Sequence, residues 1–201
     1  GNIRQIKKAC NLIKESKRPI ILAGAGVIIA DACCELEELA KTINAPVMTS
    51  LLGKGAFDET DDLALGMLGM HGRKVSNDTV NEADLLIAIG VRFSDRTTGR
   101  LDSFVPDTKV IHIDIDPAEI GKNVDVDLPI VGDARNVLSS LNKVLKGHVV
   151  SDDVNNWSNT IKQRKIDFIP RVSYDDVPLK PQRVIKEISE ALNSDSILTT
   201  D

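Results

Sequence analysis

Glycine, arginine and aspartate collect in this 201-residue sequence at the points where short apolar runs stop. Gly24-Ala25-Gly26-Val27 follows Pro19-Ile20-Ile21-Leu22-Ala23, and small residues there let backbone approach a ligand where side chains would block it. A tight strand-to-helix turn would use the same residues. A nicotinamide site would also want a third glycine near Ile29 and an acidic residue ending the second strand to hold the ribose. That strand ends in Thr49-Ser50, followed by Leu51-Leu52-Gly53-Lys54-Gly55. Further on, three glycines, Met70 and His71 fall within Gly66-Met67-Leu68-Gly69-Met70-His71-Gly72, just before a helical pattern whose first N–H groups could face an anion. His71 has no partner at metal-ligand spacing, and a lone histidine serves structural or solvent roles equally well. Gly90-Val91-Arg92-Phe93-Ser94-Asp95-Arg96-Thr97-Thr98-Gly99 brings two arginines, whose rigid fork of donors matches phosphate oxygens, although Asp95 and Arg96 could instead form a local surface network. Asp114 and Asp116 flank Ile115, and period-two geometry would put both carboxylates on one face, where they could accept bonds from ribose hydroxyls. Gly132-Asp133-Ala134 repeats the pattern, with helix capping as the alternative use of Asp133. No nucleophile with its base, no Walker lysine loop and no cluster of metal ligands is legible. The residues read as a binding surface without bond-making groups.

Such a surface needs elements that bring these loops to one edge. Helical spacing is seen over 3–13, over the stripe Cys34, Leu36, Leu39, Ala40 and Ile43 with Asp31 as its cap, over 74–82, and from Asp133 to Lys146. Strands are expected over 19–23, 46–49, 84–89, 109–115 and 129–131. This alternation predicts an α/β fold, a doubly wound and mostly parallel sheet with helices on both faces, whose ligands bind beyond the carboxyl ends of the strands. The core is expected to close at 147, with 148–180 as a linker region containing a helix around Trp157 and Ile161. A truncated second α/β domain would start over 181–201, where Val184, Ile185, Ile188 and Leu192 keep helical spacing.

Hydrophobic residues make up 42% and charged residues 27%, which is ordinary globular usage. The net charge of -5 is spread without a basic stripe, which argues against nucleic acid as a partner. Apolar runs such as Leu85–Ile89 are far short of the ~20 residues of a membrane span, and no signal peptide is evident. Cys10, Cys33 and Cys34 are too few for a disulfide framework and read as reduced helix residues, which fits a cytoplasmic protein. The start at Gly1-Asn2 rather than Met suggests a fragment.

The stretches Gly69–Gly72, Gly90–Gly99 and His112-Ile113-Asp114-Ile115-Asp116-Pro117-Ala118-Glu119-Ile120-Gly121, with Gly132-Asp133-Ala134 after them, together resemble the acetohydroxyacid (acetolactate) synthase catalytic subunit. The match is specific over roughly Gly1 to Lys146 and weaker beyond. It implies a central, Rossmann-like domain holding FAD in an extended pose across the strand ends. By that resemblance Gly24, Ala25 and Gly26 approach the dinucleotide, Ser50 and Leu51 line it, and Met70 and His71 contact its ribityl and flavin part. Gly90, Arg92, Arg96 and Thr97 follow, and Asp114, Ile115, Gly132, Asp133 and Ala134 surround the adenosine half. Ser94 stands where the family often carries Asp. The resemblance further implies a thiamine-diphosphate-dependent transferase of branched-chain amino acid biosynthesis. Such an enzyme decarboxylates pyruvate and joins the two-carbon unit to pyruvate or 2-oxobutanoate. Its activating glutamate and its thiamine diphosphate and Mg2+ ligands lie outside this chain, which is therefore expected to be inactive alone. A homo-oligomer, with a regulatory small subunit, is the implied assembly. Two alternatives remain: the equivalent domain of a redox relative such as pyruvate oxidase, and a stand-alone nucleotide-binding module.

Overall fold

In the computed structural model, residues 2–193 and 195–199 are described. The chain divides into two compact units, 1–167 and 168–201.

The first unit is built on a six-stranded, wholly parallel sheet: β1 (Pro19–Ala23), β2 (Val47–Thr49), β3 (Ala64–Met67), β4 (Leu85–Ile89), β5 (Lys109–Asp114) and β6 (Leu128–Val131). The order across the sheet is β3-β2-β1-β4-β5-β6. The chain winds outward in one direction from β1, then restarts beside β1 with β4, which is the doubly wound arrangement with its switch point between those two strands. β1 and β4 are buried along their whole length. Their continuous apolar sequences follow from having helices on both faces.

Side-chain alternation divides the core in two. Ile21, Ala23, Val47, Leu85, Ile87, Ile89, Ile111, Ile113 and Ile130 face α1 (Ile3–Glu15), α2 (Ala25–Ile29), α3 (Cys33–Ile43) and α6 (Ala134–Leu145). Each long helix presents one stripe to this layer: Ile6, Ala9, Cys10 and Ile13 from α1; Leu36, Leu39, Ala40 and Ile43 from α3; Val137, Leu138, Leu141 and Leu145 from α6. On the other face Ile20, Leu22, Met48, Leu65, Leu86, Ala88 and Val110 meet α4 (Lys74–Val80) and α7 (Asp152–Asp167). The connection from β5 to β6 crosses this face without a regular helix, and Val124 and Val126 pack into the same cluster.

Three local expectations change. Ala64–Met67 forms a sixth strand at the sheet edge, where no strand was expected. Asp31 does not cap α3; it has φ 49°, Ala32 is the N-cap, and the Asp31 carboxylate pairs with Arg135 Nη2 at 2.7 Å. α7 packs within the first unit instead of standing in a linker, because Val154, Trp157 and Ile161 are buried and the indole Nε1 donates to the Pro19 carbonyl at 3.1 Å. Cys10 is buried in α1, and Cys33 and Cys34 open α3; all three are free thiols.

The second unit contains α8 (Pro181–Ala191), begun by a proline at its first position. Within it Arg183 Nη1 donates to the Tyr174 carbonyl and pairs with Asp175, while the Arg171 guanidinium lies 4.6 Å from the centre of the Tyr174 ring.

Candidate functional site

The carboxyl ends of the strands are stitched into one rim. Leu68 N–H donates to the Thr49 carbonyl, Ser50 to Ala23, Gly24 to Ile89, Gly90 to Ile113 and Gly132 to Asp114, each at 2.8 to 2.9 Å. The first N–H after each of β1 to β4 and β6 thus extends the ladder beyond the strand. These loops are neighbours by construction, and the N–H groups that join them are satisfied by protein rather than offered to an anion.

At the switch point the backbones of β1 and β4 come into direct contact. An alanine Cβ at Gly24 would stand 2.1 Å from the Gly90 oxygen, one at Gly26 would stand 2.6 Å from the Gly90 Cα, and one at Gly90 would stand 2.5 Å from the Gly26 Cα. Gly26 N–H also donates to the Gly90 carbonyl at 3.1 Å. The glycines in Gly24-Ala25-Gly26 are therefore required first by the approach of two chain segments to each other. Ala25 is half-buried between them.

Ser50 is buried, and its Oγ accepts from Gly53 N–H at 3.1 Å, closing the turn that holds Leu51 and Leu52 outward at 67% and 75% exposure. Met70 (63% exposed) and Ile115 (71%) extend this row of uncovered apolar side chains along the rim. Side chains of this size cluster in the open where something else covers them.

The loops after β3 and β4 meet although two strands separate them in the sheet. Met70 N–H donates to the Arg96 carbonyl at 2.9 Å, and Arg96 Nη1 reaches Met70 Sδ at 3.6 Å. Arg92 and His71 are exposed, and Thr97 is buried beneath the turn α5 (Asp95–Thr98), where its N–H donates to Ser94 O. The Asp95–Arg96 pair is a long contact of 3.9 Å between well-exposed groups and adds little.

At the far end of the rim, Asp114 and Asp133 sit half-buried on adjacent strand ends. Asp114 Oδ1 accepts from Asp116 N–H at 2.9 Å, and Asp133 Oδ1 caps α6 through Asn136 N–H at 3.0 Å. Asp116 does not share a sheet face with Asp114: β5 stops at Asp114, and the Asp116 carboxylate turns back to accept from Ala118 N–H. Ala134 is buried at the first position of α6. The helix after Gly72 is the seven-residue α4, and the N–H groups of Gly72 and Arg73 just before it go to Gly69 O and Met67 O.

Two positioning side chains escaped the sequence reading. Asn77 of α4 holds both polar groups of Gly69: its Oδ1 accepts from Gly69 N–H at 2.9 Å and its Nδ2 donates to Gly69 O at 3.0 Å. His112 lies fully buried in β5, with Nε2 2.9 Å from the Val91 carbonyl and its ring edge-on to Phe93. A carbonyl only accepts, so Nε2 carries the proton. Burial pushes the His112 pKa below the ordinary histidine value, against the opposing pull of the Val91 bond and of Asp114 and Glu119, and the ring is neutral. A polar residue among Ile111 and Ile113 was a readable sign of a satisfied interior group.

A concavity of about 750 Å3 lies elsewhere, by Thr108 and Lys109 at the start of β5 and Asp125 and Asp127 before β6. It lies at the amino ends of those strands, and none of the expected site residues lines it. The rim is the better candidate, since open parallel sheets bind at their carboxyl edge.

Comparison with known proteins agrees with this geometry. The profile described as "Thiamine pyrophosphate enzyme, central domain" matches residues 6–141. A probable acetolactate synthase large subunit from Methanocaldococcus jannaschii is 53% identical over all of this chain and 35% of its own length. Its counterpart from Methanococcus aeolicus is 48% identical over all of this chain and 36% of its own length. The acetolactate synthase isozyme 3 large subunit of Escherichia coli K12 is 40% identical over the whole chain and 36% of its own length. The chain thus spans about a third of the length of the curated relatives it matches. With the profile covering the entire sheet, this chain belongs to the thiamine pyrophosphate enzyme family and carries that family's central domain.

Proposed function

We propose that this chain is the middle portion of an acetolactate synthase large subunit, that its rim of strand ends holds FAD, and that it makes no acetolactate by itself. The observation that carries the reading is the rim: six strand ends tied side by side, with small residues at the switch point, arginines on one loop and carboxylates on the last two. An extended dinucleotide fits such a row better than a compact ligand would. The backbone contact at Gly24, Gly26 and Gly90 leaves no Cβ projecting at the centre of the crevice. The names of the similar proteins favour acetolactate synthase over a redox relative such as pyruvate oxidase or a free-standing module.

In this reading Gly24, Ala25, Gly26 and Gly90 line the middle of the nucleotide, and Arg92 and Arg96 meet its phosphates with guanidinium donors. Asp114 and Asp133 accept from ribose hydroxyls, with Ile115, Gly132 and Ala134 around the adenosine. Ser50, Leu51, Met70, His71 and Thr97 border the flavin half. The flavin, when bound, is not consumed. The carbon chemistry belongs to thiamine diphosphate and Mg2+ held by parts of the subunit outside this chain; pyruvate loses CO2 and its two-carbon unit joins a second pyruvate or 2-oxobutanoate. Residues 1–167, the first compact unit with α7 included, form the FAD domain proper, 168–180 lead away from it, and 181–201 begin the thiamine-diphosphate-binding domain. The enzyme works in the cytoplasm as a homo-oligomer with a regulatory small subunit.

Flavin fluorescence titration of the chain tests this. Saturable quenching is expected, but weaker than in an intact subunit, because a partial site forfeits contacts while the association entropy is still lost. Absence of saturable quenching refutes the FAD assignment, and affinity equal to the intact subunit's refutes a shared site. Acetolactate formation by the chain supplied with pyruvate, thiamine diphosphate, Mg2+ and FAD refutes its inactivity.

A further inference from the structure

We infer that Asn77 is a positioning residue that sets the ligand-facing loops of the rim by gripping a single peptide, Gly69. The inference rests on the rim being the flavin nucleotide site. Gly69 is held at φ 107°, a conformation that residues with a side chain rarely adopt, and a Cβ there would stand 2.2 Å from the Arg96 oxygen. The Asn77 amide meets the residue from the other side, taking its N–H and capping its carbonyl. A primary amide suits this task because it carries one acceptor and one donor in a plane. The next residue, Met70, then delivers its N–H to the Arg96 carbonyl.

The connection runs from α4 through Gly69 and Met70 to the arginine turn. Each link is a directed hydrogen bond, so loosening the first frees the loop after β3 from the loop after β4. α4 is itself fixed by burial of Val75, Ser76, Thr79 and Val80, and Ser76 Oγ donates to the Leu65 carbonyl at 2.9 Å. Asn77 therefore stands on an anchored helix and reaches the loop after β3, which is the arrangement by which a supporting residue orients a binding group it never touches.

The test compares Asn77→Ala, Asn77→Asp and Val75→Ala in the full-length subunit, by flavin affinity, thermal midpoint and amide exchange of Met70 without flavin. Val75→Ala removes core volume from the same helix without touching the latch. Asn77→Ala is expected to weaken FAD about tenfold, the scale of a lost pair of hydrogen bonds, and to speed Met70 exchange. Val75→Ala should lower the midpoint with FAD affinity within about twofold of wild type. Asn77→Asp keeps the acceptor but sets a carboxylate oxygen against the Gly69 carbonyl, and should behave as Asn77→Ala does. Equal loss of flavin affinity in Val75→Ala and Asn77→Ala, or wild-type affinity in Asn77→Asp, overturns the inference. If the wild-type subunit binds no flavin, the reading of the site fails, and Met70 exchange alone then decides: unchanged exchange in Asn77→Ala refutes the latch.

Discussion

Gly24→Ala puts one methyl group where β1 and β4 touch. Gly24 has φ -105° and ψ -172°, an extended conformation that alanine adopts without strain, so the substitution reports contact alone. The new Cβ would lie 2.1 Å from Gly90 O, 2.7 Å from Gly90 C and 2.8 Å from Val91 Cα. All three are backbone atoms, and each falls more than half an ångström short of ordinary contact. Rotamer change cannot relieve this; one strand end must move and break the Gly24–Ile89 or Gly26–Gly90 hydrogen bond. Overpacking of this kind costs about 3 kcal/mol. At ~2–4 °C per kcal/mol for a chain of this size, the midpoint should fall by roughly 6–12 °C. The control is Gly121→Ala, at φ 73° with nothing within 4 Å of an added Cβ, where only left-handed strain of about 1 kcal/mol applies. Thermal unfolding followed by circular dichroism measures both. A Gly24→Ala midpoint no lower than that of Gly121→Ala would show that the two strand ends separate freely, and the account of the switch point would be wrong.

Two further outcomes follow from buried side chains. His112 is neutral when folded, its pKa held down chiefly by burial, and half-buried His148 is shifted the same way. A depressed folded value means the unfolded chain takes up the proton first, so this stability is whole above the unfolded histidine pKa of about 6.5 and declines as pH falls below it. Urea unfolding should show a loss from pH 7.5 to 5.5 that is smaller in His112→Phe; an identical loss would mean His112 takes no part. Trp157→Ala removes a buried indole and its bond to Pro19 O, and should cost about 3–5 kcal/mol by urea unfolding. A cost under about 1 kcal/mol would mean α7 only rests on the domain.

The sheet was legible because five of its strands are short, mainly apolar runs followed by or ending in glycine, serine or aspartate; β1, β2 and β4 are buried throughout, whereas β6 alternates buried and exposed residues. β3 escaped notice because four residues including Gly66 carry almost no periodic signal; its existence depends on Val47 and Met48 alongside it. The loops that gather at the rim could likewise be named from their residue types. Their fastening could not, since the bonds from Asn77 to Gly69, Met70 to Arg96 and His112 to Val91 join residues whose proximity only the finished sheet creates. The glycines at 24 and 26 show the same limit: the sequence announces that space is needed there, and the fold shows that Gly90 takes it.

The late position of α7 shapes how the domain is made. Synthesis proceeds from the amino terminus at ~5–20 residues per second, so the sixth strand is complete roughly one to five seconds before Trp157 exists. Once β6 has emerged from the ribosome the sheet can pair, while for the same lag the patch destined for Trp157 and Ile161 is uncovered. A nascent chain paused there would present a ready target for chaperones, and for sticking to its own copies.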